Sequence, residues 1–172
     1  MSDLIRHHLE TLIGPLTIEL AREALTLLEF GAHGEATPDT PPRGLGAETA
    51  RQIKAYFAGK LKQFDLPLRA EGTPFRQKVW QALRDVPYGQ TRSYGEIARE
   101  VDSAPRAVGG ACGANPIAIV VPCHRVVRSD GKLGGYSGGL NRKVTLLGIE
   151  GVDVDGPRPG SLVYPEVLRL PL

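Results

Sequence analysis

Only two cysteines, Cys112 and Cys123, occur in the 172 residues, too few for a disulfide framework. No Cys-x-x-Cys pair accompanies the four histidines, so the sequence offers no structural zinc site. No apolar run exceeds the five residues from Ile117 to Val121, against the roughly 20 that a membrane helix needs. The opening MSDLIRHHLE lacks a basic end followed by an apolar stretch, so no signal peptide is expected. These absences exclude a membrane-spanning helical protein, a disulfide-stapled secreted domain and a zinc finger. What is there is 41% hydrophobic, enough to bury a core, in a length that suits one domain or a small domain plus a second. The expectation is a soluble globular protein of the cytoplasm, or of the nucleus if its source is eukaryotic.

Net charge is only +2, but it is unevenly spread. Residues 1–68 carry 7 basic and 9 acidic side chains, residues 69–143 carry 12 and 6, and residues 144–172 carry 2 and 4. A +6 middle between two −2 ends fits a segment that meets a polyanion, although an unevenly solvated surface fits it as well. Nine of the 12 basic residues in the middle are arginine, which favours phosphate or base contacts.

The first third reads as strand-rich. Leu16, Ile18 and Leu20 alternate with polar residues, and Leu25 and Leu27 resume the period, which predicts a hairpin. Gly31 to Gly46, with three prolines and four glycines, reads as a loop. Residues 47–58 read as a helix with Ile53, Tyr56 and Phe57 on one face, and Lys62–Ala70 as a strand or extended linker. A second unit starts at Thr73-Pro74, an N-cap and a first helical position. Phe75, Val79, Ala82 and Leu83 form its apolar stripe. Ser93 caps a further helix with Tyr94, Ile97, Ala98 and Val101 inward, and Pro105 opens another that stops near Asn115-Pro116. Ile117–Val121 reads as a short buried strand running into Pro122. Residues 129–139 form a glycine-rich loop, Leu140–Leu147 a last helix, and Val152–Leu172 a tail with four prolines.

Three features carry chemistry. Ser93–Val101 and Pro105–Gly113 have helix-turn-helix dimensions, with the second helix as the recognition element. Beyond Arg106 that helix offers only small residues, which suit close backbone approach to a shallow groove and sequence-independent binding; glycines serving tight helix packing are the structural alternative. Pro122-Cys123-His124-Arg125-Val126, after the apolar run, puts a thiol at a strand end beside a base. The thiolate is the nucleophile, and a free thiol is only a few per cent ionised at neutral pH, so an adjacent histidine matters. A cysteine beside valines is more often a small core residue, and Cys112 takes that reading. The loop Gly131–Gly139 matches neither a phosphate-binding loop nor G-x-G-x-x-G; either it closes over a flat ligand with Tyr136 and Ser137, or it is a surface turn.

Taken together, TPFRQKVWQAL, PYGQTRSYGEIA, PRAVGGACGANP, VVPCHRVV, GGYSGGL and LLGIEG resemble the O6-alkylguanine-DNA alkyltransferases, closely over about residues 73–151 and in outline over 1–70. The resemblance implies an α/β (α+β) fold. A small ribonuclease-H-like N-terminal sheet domain, residues 1–70, would precede a mainly helical C-terminal DNA-binding and alkyl-acceptor domain, 71–151, with a tail, 152–172. The family's zinc-bearing variants are not indicated, because no cysteine precedes Cys112.

The resemblance also implies roles. Cys123 would accept the alkyl group, His124 would deprotonate it through a water, and Glu150 would orient and polarise His124. Asn115 would be a hinge that bonds backbone near the cysteine and lines the pocket, Tyr94 would protonate a ring nitrogen of the leaving guanine, and Ser137 would bond O6. Tyr136 would flank the base, Lys143 would set the loop, and Arg106 would fill the stack vacated by the flipped nucleotide. Arg125, Ala107 and Gly109 would complete the DNA- and substrate-binding surface. Cys112 is a departure, standing where mammalian members carry methionine.

The implied partner is double-stranded DNA containing alkylated guanine, read from the minor groove by a monomer, with no cofactor and no metal; O4-alkylthymine is expected as a further substrate. A lesion base must be flipped out to be reached, and the thioether formed has no good leaving group, so the protein would act once. Three other readings compete. A lesion-sensing protein without catalysis would carry tryptophan in place of Cys123. A helix-turn-helix regulator would carry base-reading side chains over 107–111. A cysteine hydrolase would turn over.

Overall fold

The computed structural model describes residues 4–37 and 43–153. The expectation for the tail falls almost wholly outside them. Three antiparallel strands, β1 (Ile5–Thr11), β2 (Gly14–Ala21) and β3 (Ala24–Phe30), form a sheet in that order. The expected hairpin is β2–β3, closed by Arg22 and Glu23, both in the left-handed region at φ 50° and 59°, as a two-residue hairpin turn matched to strand twist requires. A register shift at Glu19/Leu20 puts Leu25 and Leu28, rather than Leu25 and Leu27, on the buried face. The Thr26 hydroxyl, beside the shift, donates to Glu19 O at 3.1 Å. β1 had no signal in the sequence: it is an edge strand, none of its residues is fully buried, and its composition shows no clean alternation.

β3 does not end in a bare edge. Leu25 bridges Leu68 and Leu28 bridges Ile117, both parallel, with Leu28 N donating to Pro116 O and Ala118 N to Leu28 O, each at 2.9 Å. The segment expected as an extended linker thus lies along the sheet. Helix α1 (Gly44–Phe57) buries Ile53, Tyr56 and Phe57 as expected. It begins three residues before Ala47, with Arg43 at the cap and no side-chain cap bond to mark the start in the sequence.

Helix α2 (Pro74–Arg84) starts where expected, with Thr73 Oγ1 accepting from Arg76 N at 3.2 Å. Trp80 is buried on it, while Phe75 is only partly so, and Trp80 Nε1 donates to Ala111 O at 2.9 Å. Strand β4 (Arg92–Ser93) pairs in parallel with β5 (Val126–Val127). Between them in the chain lie α3 (Tyr94–Glu100), with a Ser93/Glu96 capping box, and α4 (Pro105–Gly113). Helix α5 (Leu140–Ile149) ends at Glu150.

The stretch Ile117–Val121 is buried apart from Val120, which is half-buried, but it is not a strand. After the single bridge at Ile117 the chain turns back, with Val121 N donating to Ile117 O at 3.0 Å and Ile119 at φ 71°. Five apolar residues specify burial on all sides, and a tight turn satisfies that as well as a sheet. Cys123 accordingly opens a 3-10 turn, Cys123–Arg125, instead of ending a strand. The fold class is the expected mixture of a small antiparallel sheet and a helical C-terminal part. One apolar core runs through both, from Leu16 and Leu28 through Trp80 and Val108 to Leu146. Among the described residues no helix is long and apolar enough to cross a membrane.

Candidate active site

Cys123 is 4% exposed and forms part of the wall of a cavity of about 750 Å³. Asn115, just beyond α4, ties the helix to the cysteine turn: Nδ2 donates to Val121 O at 2.8 Å and to Cys123 Sγ at 3.3 Å, and Oδ1 accepts from Ile117 N at 3.0 Å. Around the thiol the cavity is walled by Tyr94 from α3, by Arg106, Gly109 and Cys112 from α4, and by Tyr136 and Ser137 from the glycine-rich loop. That loop is therefore a pocket wall. Lys143 holds it in place from below, Nζ donating to Val126 O at 2.7 Å, Leu133 O at 2.6 Å and Gly135 O at 3.2 Å. Tyr94 OH also donates to Gly135 O, at 3.2 Å.

Behind the cysteine, His124 is fully buried and its Nε2 meets Glu150 Oε2. Glu150 Oε1 accepts from Arg125 Nε at 2.7 Å and Gly89 N at 3.2 Å, and Oε2 accepts from Tyr56 OH at 2.7 Å. His124 Nδ1 is buried with no hydrogen-bond partner among the described residues, so it has capacity for a ligand atom or solvent; Tyr136 OH is buried beside the Cys123 thiol, with which it interacts.

The charges follow from burial. Desolvation pushes the Cys123 thiol up, against the Asn115 hydrogen bond and the Lys143 charge. Desolvation likewise lowers His124, with Glu150 opposing and Arg125 and Lys143 reinforcing. The resting pair is a neutral thiol and a neutral imidazole. Glu150 behaves oppositely: burial would raise it, but the hydrogen bond from His124, the Arg125 charge and the Tyr56 hydroxyl hold it well below the usual carboxylate range. Burial lowers Lys143 to about 8 and raises Tyr94 and Cys112 to about 12 each. Tyr94 therefore keeps a proton to donate, and Cys112 stays a thiol.

Helix α4 has the composition of a contact surface. A Cβ built on Gly109, Gly110 or Gly113 would meet nothing within 4 Å, so these glycines do not serve internal packing. Each costs a helix roughly 1 kcal/mol relative to alanine, and what they provide is a flat backbone face. Arg106, in the first turn, is exposed and has no protein partner among the described residues. A cation there opposes the helix dipole, and no acidic residue in that turn offsets it.

The structure thus gathers Cys123, Tyr94, Tyr136, Ser137, Arg106 and Gly109 at one cavity, with His124 and Glu150 behind it and Lys143 beneath; Asn115, expected to line the pocket, is not in its wall and reaches it only through its bond to Cys123 Sγ. Ala107 is exposed on α4 outside the cavity wall. Arg125, expected at the DNA surface, is corrected: it is 6% exposed, its Nη1 donates to Val86 O at 2.7 Å, and its charge is turned inward to Glu150. Tyr56 and Gly89 were not anticipated. Tyr56 lay hidden in an apolar helical stripe, where its hydroxyl carries no signal.

A family model for the DNA binding domain of 6-O-methylguanine DNA methyltransferase matches residues 74–152. The methylated-DNA–protein-cysteine methyltransferase of Mycobacterium tuberculosis is 51% identical over 143 residues, spanning 80% of this chain and 87% of the relative. Its namesake from Methanosarcina acetivorans is 47% identical over 148 residues, spanning 83% and 95%. Among solved structures, that of Mycobacterium tuberculosis OGT in complex with DNA superposes with a TM-score of 0.75 at 50% identity, over 83% of this chain and 90% of that one.

Proposed function

This chain belongs to the methylated-DNA–protein-cysteine methyltransferases, and from that premise we infer that it repairs O6-alkylguanine in duplex DNA by moving the alkyl group onto Cys123. The flat glycine face of α4 lies against the minor groove, Arg106 enters the stack, and the flipped base occupies the cavity between Tyr136 and α4. The Cys123 proton passes through a bridging water to His124 Nδ1, and Glu150 stabilises the imidazolium. Sulfur attacks the alkyl carbon, the S–C bond forms as the C–O6 bond breaks, and the electron pair leaves with guanine. Tyr94 donates a proton to the ring, and Ser137 bonds O6, which lowers the charge on the leaving group. Asn115 holds the thiol in line, and Lys143 holds the loop that carries Tyr136 and Ser137. The product is a thioether, so each molecule reacts once.

We extend the same chemistry to O4-alkylthymine and read the protein as a monomer on DNA. Residues 1–70 act as a sheet domain and 71–151 as the acceptor domain. We place the protein in the cytoplasm, in keeping with its bacterial and archaeal relatives. One observation carries the reading: a single cavity has the Cys123 thiol in its wall, a buried His124–Glu150 pair behind that thiol and, also in its wall, an exposed arginine with no partner among the described residues. Intact mass after incubation with an O6-methylguanine duplex tests it. One added methyl per chain, mapped to Cys123, is expected. Binding without an adduct, or release of more product than protein present, would overturn it.

A further inference from the structure

Tyr56 is fully buried in α1, where its ring packs against Phe57, Phe64 and Tyr88 with centroids 5.5, 5.4 and 6.2 Å away. A phenylalanine would fill that space equally. What packing leaves unexplained is the hydroxyl, which crosses to a residue 94 positions later and donates to Glu150 Oε2 at 2.7 Å, with His124 Nε2 at 3.5 Å. Phenol and imidazole thus flank one carboxylate oxygen, while Arg125 and Gly89 occupy the other. The lone pairs of the carboxylate are filled.

We propose that Tyr56 is a positioning residue for alkyl transfer: its hydroxyl fixes Glu150 Oε2 toward His124 and limits the basicity of that oxygen, so that His124 waits as a neutral base with Nδ1 unprotonated. Burial, reinforced by the Glu150 charge, raises the phenol well above its ordinary value, so Tyr56 is a permanent donor. Two consequences follow. Glu150 stays ionised and accepts the Nε2 proton of His124, which leaves Nδ1, buried and without a partner among the described residues, as the lone-pair nitrogen. A carboxylate sharing its charge with a phenol also stabilises an imidazolium less than one bonded to histidine alone. The groups bearing on His124 are Glu150 beyond α5, Lys143 on α5, Arg125 and Cys123 beside it in the chain, and Tyr56 from α1. Glu150 favours the imidazolium, Arg125 and Lys143 oppose it, and Tyr56 weakens Glu150. The N-terminal unit therefore tunes the base of the C-terminal one.

The proposal rests on the Cys123–His124–Glu150 reading above. Its test is the single-turnover rate of transfer from a free O6-alkylguanine base, measured between about pH 5 and 9 for the parent, Tyr56→Phe, Glu150→Gln and the double variant. With Tyr56→Phe, His124 should protonate more readily, so the acid limb moves up by about half to one pH unit. The rate near pH 6 should fall several-fold and the alkaline plateau stay within about twofold. In the Glu150→Gln background the same substitution should produce no further shift. Nitrogen chemical shifts of His124 in the parent should show Nε2 protonated and Nδ1 bare, a reading that does not depend on any variant folding. A loss of rate uniform in pH, an unmoved or lowered acid limb, or a parent tautomer protonated on Nδ1 would overturn the role of Tyr56. An adduct absent from Cys123 in the parent, or a Glu150→Gln profile matching the parent, would instead overturn the underlying reading.

Discussion

His124 and Glu150, 26 residues apart in the chain, meet in full burial, with imidazole Nε2 against carboxylate Oε2 and no exposed side-chain surface on either. A buried carboxylate beside a neutral imidazole favours the charge-separated state that forms when the thiol is deprotonated. Glu150→Gln should therefore slow transfer to Cys123 at neutral pH by about tenfold or more, a rise of roughly 1.4 kcal/mol in the barrier. The defect should shrink as pH rises, because bulk base then ionises the thiol without help. The rate-versus-pH profile beside the parent decides the matter, and superimposable profiles would make Glu150 a helix-end residue only.

The same carboxylate gives a sign to acid stability. Its folded-state value lies below its unfolded one, from about 4.5 down to about 2. The stabilisation is thus complete above about 4.5 and is lost as pH falls through about 2. Unfolding midpoints in urea should show a steeper acid decline for the parent than for Glu150→Gln over that window.

Cys123→Ala should abolish alkyl transfer and leave duplex binding within about twofold, since the residue is only 4% exposed and offers almost no surface to DNA. Cys112 should not take over. Burial raises it to about 12, so at neutral pH its thiolate fraction is negligible. Peptide mapping after exposure to lesion DNA would reveal any transfer to it.

Arg106→Ala separates duplex repair from chemistry. Flipping a base costs a few kcal/mol, and a side chain supplying about 1.4 kcal/mol of that would make repair of duplex lesions roughly tenfold slower when lost. Transfer from a free alkylated base should be nearly unchanged. Equal losses on both substrates would show that Arg106 acts on the cavity and not on the stack. Binding of the parent should also weaken steeply with salt and depend little on flanking sequence.

Gly138 probes the seam between the sheet and the pocket wall. A Cβ there would lie 2.5 Å from Phe30 Cε2, a ring that packs edge-on against Tyr136 at 5.9 Å and carries Arg142 at 5.1 Å. Gly138→Ala should cost about 1–3 kcal/mol of stability and, by moving Phe30, displace Tyr136 from the cavity. Urea denaturation and the transfer rate should both register it.

Local chemistry determined a good part of this protein before any fold was considered. Thr73-Pro74 and Ser93 with Glu96 specify helix starts through bonds that reach only three residues. The period of Leu16, Ile18 and Leu20 specifies a half-buried strand, and Cys123, Asn115, Arg106 and Tyr136 stand out by residue type within recognisable motifs. Tertiary structure decided what depends on distant partners. Whether Ile117–Val121 would be strand or turn depended on what surrounded it, because burial on all sides leaves backbone conformation open. Arg125 could have faced DNA or the interior; the charge of Glu150, held at the end of α5, drew it inward. The glycines of α4 could have served packing or contact, and only the empty space beyond them separates the two. The Tyr56 hydroxyl acquired a role from a carboxylate 94 residues away, and a contact of that range leaves no periodicity or motif in the chain.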